Sequence, residues 1–242
     1  VIMRIDAMFA DLPALMQCEV VLSPYGLNFL LLWAVSACVY AVVYRKKMPL
    51  VAATSVFALL LIAGQVTIAS APEPESILKA AYTTGPYIGN FIDYGDTDYE
   101  NKIASLQRSA SDAKKAGASV LIFNEEAFTL QTDEYQDFLD MAAQTAREEE
   151  LHLLVGMDLE ESGLMSSNRL VWIDPEGTIL GEYDKSNTIP GLESDYQRGN
   201  GEIPVLNLTI DGEPYRIGFA ICYDSNFPLY LSQLQGKADL LL

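Results

Sequence analysis

Histidine is almost missing from this chain, His152 being the only one. No His-rich metal site is therefore available, and Ser-His-Asp or Cys-His catalysis is removed unless that one residue serves. Cysteine is nearly as scarce, and three residues cannot build a disulfide framework. Basic residues are few, 15 Lys and Arg against 33 Asp and Glu, and the resulting charge of −18 repels phosphate backbones. No local basic patch offsets it, so nucleic acid is excluded as a partner. Internal repeats and low-complexity tracts are lacking too. With half of its 242 residues apolar and a fifth charged, the chain is neither disordered nor collagen-like, and it can pack one or two domains.

Charge divides the chain near residue 70. Residues 1–70 hold Arg4, Arg45, Lys46 and Lys47 against Asp6, Asp11 and Glu19, whereas residues 71–242 hold 11 basic and 30 acidic side chains. Two uncharged runs, 25–44 and 48–70, account for the difference. Twenty helical residues span roughly 30 Å, the thickness of the hydrocarbon core, so each run predicts a transmembrane helix. A cleaved signal, with its single apolar region of about 7 to 15 residues, does not fit two longer runs. Arg45, Lys46 and Lys47 between them face the cytoplasm by the positive-inside rule, which places everything after the linker Ala71-Pro72-Glu73-Pro74-Glu75 on the extracytoplasmic side. The division expected is a membrane segment, 1–70, and an extracytoplasmic domain, 71–242.

From Ile77 onward short apolar runs alternate with amphipathic helices, the pattern of an α/β domain. Strands are expected at 77–84, 120–123 and 151–157, with helices at 99–116, closed by Gly117, and at 133–150. The turn signal Asp174-Pro175-Glu176-Gly177 pairs 170–173 with 179–183, and Asp211-Gly212-Glu213-Pro214 pairs 205–210 with 215–221. Pro228 can open a helix, and 238–242 reads as a buried strand.

Three strand ends can present chemistry. At Phe123-Asn124-Glu125-Glu126 an apolar strand runs straight into two carboxylates. A partly desolvated carboxylate there has a raised pKa suited to acid or base work, unless it merely caps the next loop. Lys185 leaves a hairpin strand and can stabilise an oxyanion or simply be solvated. Cys222 lies between an apolar strand and a helix start, where the helix dipole favours the thiolate; the alternative is an inert buried cysteine, the reading given to Cys18 and Cys38.

Taken in order, these strings resemble the nitrilase superfamily. Phe123-Asn124-Glu125 is similar to its aromatic-Pro-Glu, Tyr183-Asp184-Lys185 to its Tyr-x-Lys, and Cys222-Tyr223-Asp224 with Phe227-Pro228 to its Cys-Tyr-acid-x-x-Phe-Pro. Lys185, Pro190 and Glu193 resemble the Lys...Val-Pro-Phe-Gly-Glu segment of one branch, the apolipoprotein N-acyltransferases. Ser23-Pro24-Tyr25-Gly26-Leu27-Asn28-Phe29 resembles that branch's Gly-Val-Tyr-Gly-Leu-Ser-Phe helix start, and Leu15-Met16-Gln17 its Leu-Ile-Gln.

The resemblance implies an αββα sandwich preceded by two transmembrane helices. It implies Cys222 as nucleophile, Glu125 as acid and base, Lys185 as oxyanion partner, Glu193 orienting Lys185 or the amine, and Tyr223 and Asp224 supporting or contacting substrate. It further implies an acyl chain passed from a phospholipid, through a cysteine thioester, to the amine of a diacylated lipoprotein at a bacterial-type plasma membrane. No metal or organic cofactor is expected. The sequence departs from the pattern at Asn124 for proline, Asn187 for histidine, Gly191-Leu192 for Phe-Gly and Asp224 for glutamate, and Glu126 offers a rival carboxylate, with Glu125 preferred by register. Aspartate at 224 is common in soluble amidases of the superfamily, which keeps open a membrane-tethered amidase. A noncatalytic anchored binding module is the third reading. Residues 71–242 fall short of the roughly 250 residues of a complete domain, so a sandwich incomplete at its C-terminus, in an internal fragment, is expected.

Overall fold

A computed structural model describes residues 9, 11–73, 76–83, 87–88, 91–92, 98–160 and 166–242. Pro74, Glu75, Thr84 and residues 1–8 of the expected features lie outside the described residues. The chain divides into two compact units, Val1–Glu75 and Ser76–Leu242.

The first unit holds α1 (Pro13–Met16), α2 (Glu19–Tyr44) and α3 (Met48–Ala69). Helix α2 is broken at Ser23, whose φ of 59° and ψ of 166° are non-helical. The next residue is Pro24, whose ring disfavours helical geometry one position earlier. Beyond the break, Tyr25–Tyr44 is long and apolar enough to cross a membrane, as is α3. Arg45, in the left-handed region at φ 53°, ends the first helix, and proline in the first turn of α3 replaces an N–H that has no helical partner. Ser36, Thr54 and Thr67 donate to carbonyls one turn back at 2.9, 2.9 and 3.0 Å, so these hydroxyls need no water. A Cβ at Gly64 would lie 1.7 Å from the Ala14 carbonyl oxygen, so α1 reaches α3 only because that residue is glycine.

The second unit is a mixed α/β sandwich. Its first sheet contains β1 (Ala80–Thr83), β4 (Val120–Phe123), β5 (Phe128–Gln131), β6 (His152–Glu160), β7 (Ser167–Ile173) and β8 (Ile179–Asp184) in the order β1-β4-β6-β7-β8. The short pair β2 (Tyr87–Ile88) and β3 (Phe91–Ile92) stands apart. Strand β6 is shared lengthwise: β4 runs parallel to His152–Leu154 and β5 to Met157–Glu160. Residues 124–127 swing out between the two. The sequence reading missed β5 and stopped β6 at Met157.

Helices α4 (Tyr99–Lys115) and α5 (Tyr135–Glu149) cover one face of this sheet. Their stripes, Leu106 and Ala110 on α4 and Phe138 and Ala142 on α5, meet the alternate β6 residues Leu153, Val155 and Met157 in one core. Gly117 (φ 76°) ends α4 as expected. On the opposite face Leu154, Leu170, Trp172 and Tyr183 pack against Leu208 and Ile217 of a second sheet and Phe219 just beyond it. That sheet has the order β11-β10-β9, from β9 (Val205–Ile210), β10 (Glu213–Gly218) and β11 (Leu240–Leu241), with the short helix α6 (Pro228–Leu231) between β10 and β11. Burying each large apolar side chain contributes about 1.5 to 3 kcal/mol. The β9–β10 turn is tighter than expected: Ile210 pairs with Glu213, leaving only Asp211 and Gly212, both at positive φ, as the hairpin loop. Pro214 is tolerated inside β10 because β11 pairs only with Ile217 and Gly218, so its missing N–H interrupts no bond on that side.

Candidate active site

Three loops converge at one end of the first sheet. The first is the excursion 124–127. Gly156 in β6 makes room for it, since a Cβ there would lie 2.1 Å from the Asn124 carbonyl oxygen. Glu126 adopts φ 54°, and the turn sends Glu125 and Glu126 back over the sheet. The second loop follows β8 and carries Lys185, Asn187 and Glu193. The third follows β10 and turns abruptly at Cys222, whose φ of 41° is unfavourable for a residue with a side chain. Cys222 opens a 3₁₀ helix, Cys222–Asn226.

Lys185 sits at the centre, 1% exposed. Its Nζ donates to Glu125 Oε1 at 2.7 Å and to Glu193 Oε1 at 2.6 Å, which leaves one of its three protons uncommitted. Burial alone would lower the ammonium pKa, but the two carboxylates outweigh it and the net shift is upward. Glu193 is fixed in turn, its Oε2 accepting the Ile189 N–H at 2.7 Å. The Cys222 residue keeps exposed surface while its thiol is partly enclosed, and it lines a cavity of about 490 Å³ with Glu125. Its remaining lining includes Tyr82, Ile122, Leu154, Leu170 and Leu242.

The sequence argument that a helix dipole lowers the Cys222 pKa does not hold. The thiol is pushed up to about 11, first by burial and then by the charge of Glu125 and a hydrogen bond to it, with Lys185 only partly opposing. A five-residue 3₁₀ helix has too small a dipole to compensate for an adjacent anion. The desolvation expected of the strand-end carboxylates is seen at Glu126, whose pKa burial raises above the usual range.

Asp224 has no exposed surface and holds the loops together. Its Oδ2 accepts from the Tyr183 hydroxyl at 2.6 Å and from Ile221 N–H at 3.2 Å; its Oδ1 accepts from the backbone and side-chain amides of Asn187, both at 2.8 Å. The loop of Cys222 is thereby tied to the loop of Lys185. Tyr223 is half-buried and packs edge-on against Phe227 at 5.3 Å.

One participant was not foreseen. Asn168 in β7 is 1% exposed, and its Nδ2 donates to Glu125 Oε1 at 2.6 Å and to Glu126 Oε1 at 3.1 Å. The polar string Ser167-Asn168-Arg169 reads as a loop, whereas it begins β7 and each long polar side chain has a partner outside that strand, Arg169 pairing with Asp184 of β8 at 2.7 Å. Among the described residues no group of three or more His, Cys, Asp or Glu side chains could hold a metal ion.

Residues 80–241 match the carbon-nitrogen hydrolase family. A comparison with curated protein sequences found no match. Among solved structures, similarity extends to an amidase from Nesterenkonia sp., at 18% identity and TM-score 0.57, over 68% of this chain and 63% of that one. A cysteine-to-alanine mutant of the Nesterenkonia AN1 amidase, from the nitrilase superfamily, gives 17% and 0.58 over 70% and 65%. A further mutant of that amidase, carrying acrylamide added at its active-site cysteine, gives 18% and 0.56 over 68% and 65%. The chain thus spans just under two thirds of the length of these structures.

Proposed function

The chain belongs to the carbon-nitrogen hydrolase family, and from that premise we propose that it is a membrane N-acyltransferase of the apolipoprotein N-acyltransferase type, working through Cys222, Glu125 and Lys185. One observation carries the choice: Cys222 and Glu125, the latter bridged to Lys185, line a largely apolar cavity and follow, in the same chain, two helices long enough to cross a bilayer. With Arg45, Lys46 and Lys47 on the cytoplasmic side, residues 71–242 lie outside, where lipid substrates reach the thiol without leaving the membrane.

In the first half-reaction Cys222 Sγ attacks the ester carbonyl of a phospholipid while its proton passes to Glu125. The free proton of Lys185 Nζ stabilises the oxyanion. The ester C–O bond then breaks, and Glu125 returns the proton to the leaving alkoxide, giving a thioester and a lysophospholipid. In the second half-reaction the N-terminal amine of a diacylated lipoprotein attacks the thioester. Glu125 takes a proton from the amine, the C–S bond breaks, and the proton restores the thiol. Because the resting thiol is protonated, transfer to Glu125 must accompany attack.

A second reading is favoured by Asp224 and by the amidase neighbours: the acyl-enzyme gives its acyl group to water. Incubation of the full chain in detergent micelles with phospholipid, followed by mass spectrometry, separates the two. An acyl adduct on Cys222, absent in Cys222→Ala and discharged by a diacylated lipopeptide amine, supports acyl transfer. Loading that is discharged by water alone supports hydrolysis, and no loading refutes the acyltransferase.

A further inference from the structure

Beside Glu125 lies a buried polar pair that the proposed chemistry leaves unused. Asp158, near the end of β6, is 9% exposed, and Asn168, opposite it on β7, is 1% exposed. They are register partners in the antiparallel β6–β7 pair, so their side chains leave the same face of the sheet with Cβ atoms about 4.5 to 5.5 Å apart. The amide nitrogen of Asn168 is committed to Glu125 and Glu126, which as carboxylates can only accept. Its Oδ1 is therefore directed away from them, and that atom is buried with no partner among the described residues. On Asp158, Oδ2 accepts from the Tyr196 hydroxyl at 3.3 Å, while Oδ1 is buried with no partner among the described residues. Two neighbouring acceptors, each lacking a donor, are both satisfied by a single proton.

We infer that Asp158 is held as the neutral acid and donates its Oδ1 proton to Asn168 Oδ1, which makes it a positioning residue for the Glu125 carboxylate. This role rests on Glu125 being the general base of the proposed reaction. The surroundings favour the acid form: Glu126 faces Asp158 from the loop after β4, Glu160 lies on its own strand, and Tyr196 approaches from the loop after β8. Lys185, the nearest cation of the site, is engaged by Glu125 and Glu193. Burial, followed by the charge of Glu126, raises the Asp158 pKa to about 6, with Tyr196 opposing. A bond that only the acid can donate raises it further. As pH rises through the folded value the bond is lost, a second anion appears beside Glu126, and Asn168 is released.

The test uses the full chain in detergent and two readouts. The first is the carbon-13 titration of the Asp158 carboxyl, assigned with Asp158→Asn. The second is the single-turnover release of p-nitrophenolate from p-nitrophenyl octanoate, which reports acylation of Cys222 whichever acceptor follows. Glu125→Gln slows acylation on the order of 10²-fold. Asp158→Ala slows it by about tenfold, whereas Asp158→Asn, whose amide still donates to Asn168 Oδ1, stays within about twofold and loses the alkaline decline. If Glu125→Gln is slow but Asp158→Asn is as slow as Asp158→Ala, or Asp158 titrates below about pH 5, the neutral-acid role is overturned and the base survives. If Glu125→Gln acylates at the wild-type rate, both are overturned.

Discussion

Replacing Lys185 with methionine keeps most of the side-chain volume and removes the charge, leaving Glu125 and Glu193 without the cation between them. Lys185 is 1% exposed at its side chain and the two carboxylates 25% and 13%, so all three are shielded from water. Breaking a buried pair from one side costs about 3 to 5 kcal/mol, and the partial exposure of Glu125 places this case near 3 kcal/mol. With a urea m-value of about 2 kcal/mol/M, the midpoint falls by about 1.5 M, read from Trp172 fluorescence in detergent. On the alkaline side the wild type behaves differently from the variant. Lys185 has a raised folded pKa, so its contribution is complete below the unfolded lysine value of about 10.4 and is lost as pH rises through the folded one. That alkaline loss is absent from Lys185→Met. A midpoint shift under about 0.5 M, the size expected of an exposed pair, refutes the buried bridge.

Gly156→Ala places a methyl group 2.1 Å from the Asn124 carbonyl oxygen, so the excursion carrying Glu125 must move. Acylation falls on the order of 10²-fold while circular dichroism is unchanged; an unaffected rate shows that the excursion does not depend on this contact. Alkylation of Cys222 by iodoacetamide, followed by peptide mass spectrometry, rises with pH toward a midpoint near 11, and Glu125→Gln moves that midpoint downward by removing the facing charge. A midpoint at the ordinary thiol value in both proteins contradicts the burial and the charge. His152 is buried and accepts the Trp172 Nε1 proton at Nδ1 over 3.2 Å, and burial lowers its pKa. Its folded value lies below the unfolded value of about 6.5, so stability is lost as pH falls below the latter. His152→Leu removes that part of the acid sensitivity, and an unchanged urea midpoint profile between pH 7 and about 5 argues against it.

Where a segment of this sequence faces one environment, its structure is legible. The uncharged runs are helices, Gly117 caps its helix, and Val120–Phe123 is a strand buried on both faces. Legibility fails where polar residues are buried in pairs. Asp158-Leu159-Glu160 extends β6 and Ser167-Asn168-Arg169 begins β7, yet hydropathy assigns both to loops. Their polar groups meet partners distant in sequence, Asp158 meeting Tyr196, Glu160 meeting Gln131, Asn168 meeting the loop of Glu125 and Glu126, and Arg169 meeting Asp184, a relation that no single-sequence period contains. Strand β5 was missed because its four residues pair only with the far half of β6. The site itself was legible only in part. The order of Glu125, Lys185 and Cys222 picked out side chains that the fold brings together, but Asn168, which joins the two adjacent glutamates, carries no local signal.

Asn187 and Asp224, two of the departures from the superfamily pattern, are in direct contact. The amide and backbone N–H of Asn187 both donate to Asp224 Oδ1. Seen singly, an asparagine for histidine and an aspartate for glutamate each remove something from a nitrilase-like site. Seen together, they form one bond network, with the shorter carboxylate also accepting from Tyr183 and from Ile221 N–H. That network spans the ends of β8 and β10, which bring Lys185 and Cys222 to the site. What the two residues supply together is the tie between the two loops, and neither side chain has to face a substrate for the constellation to keep its shape.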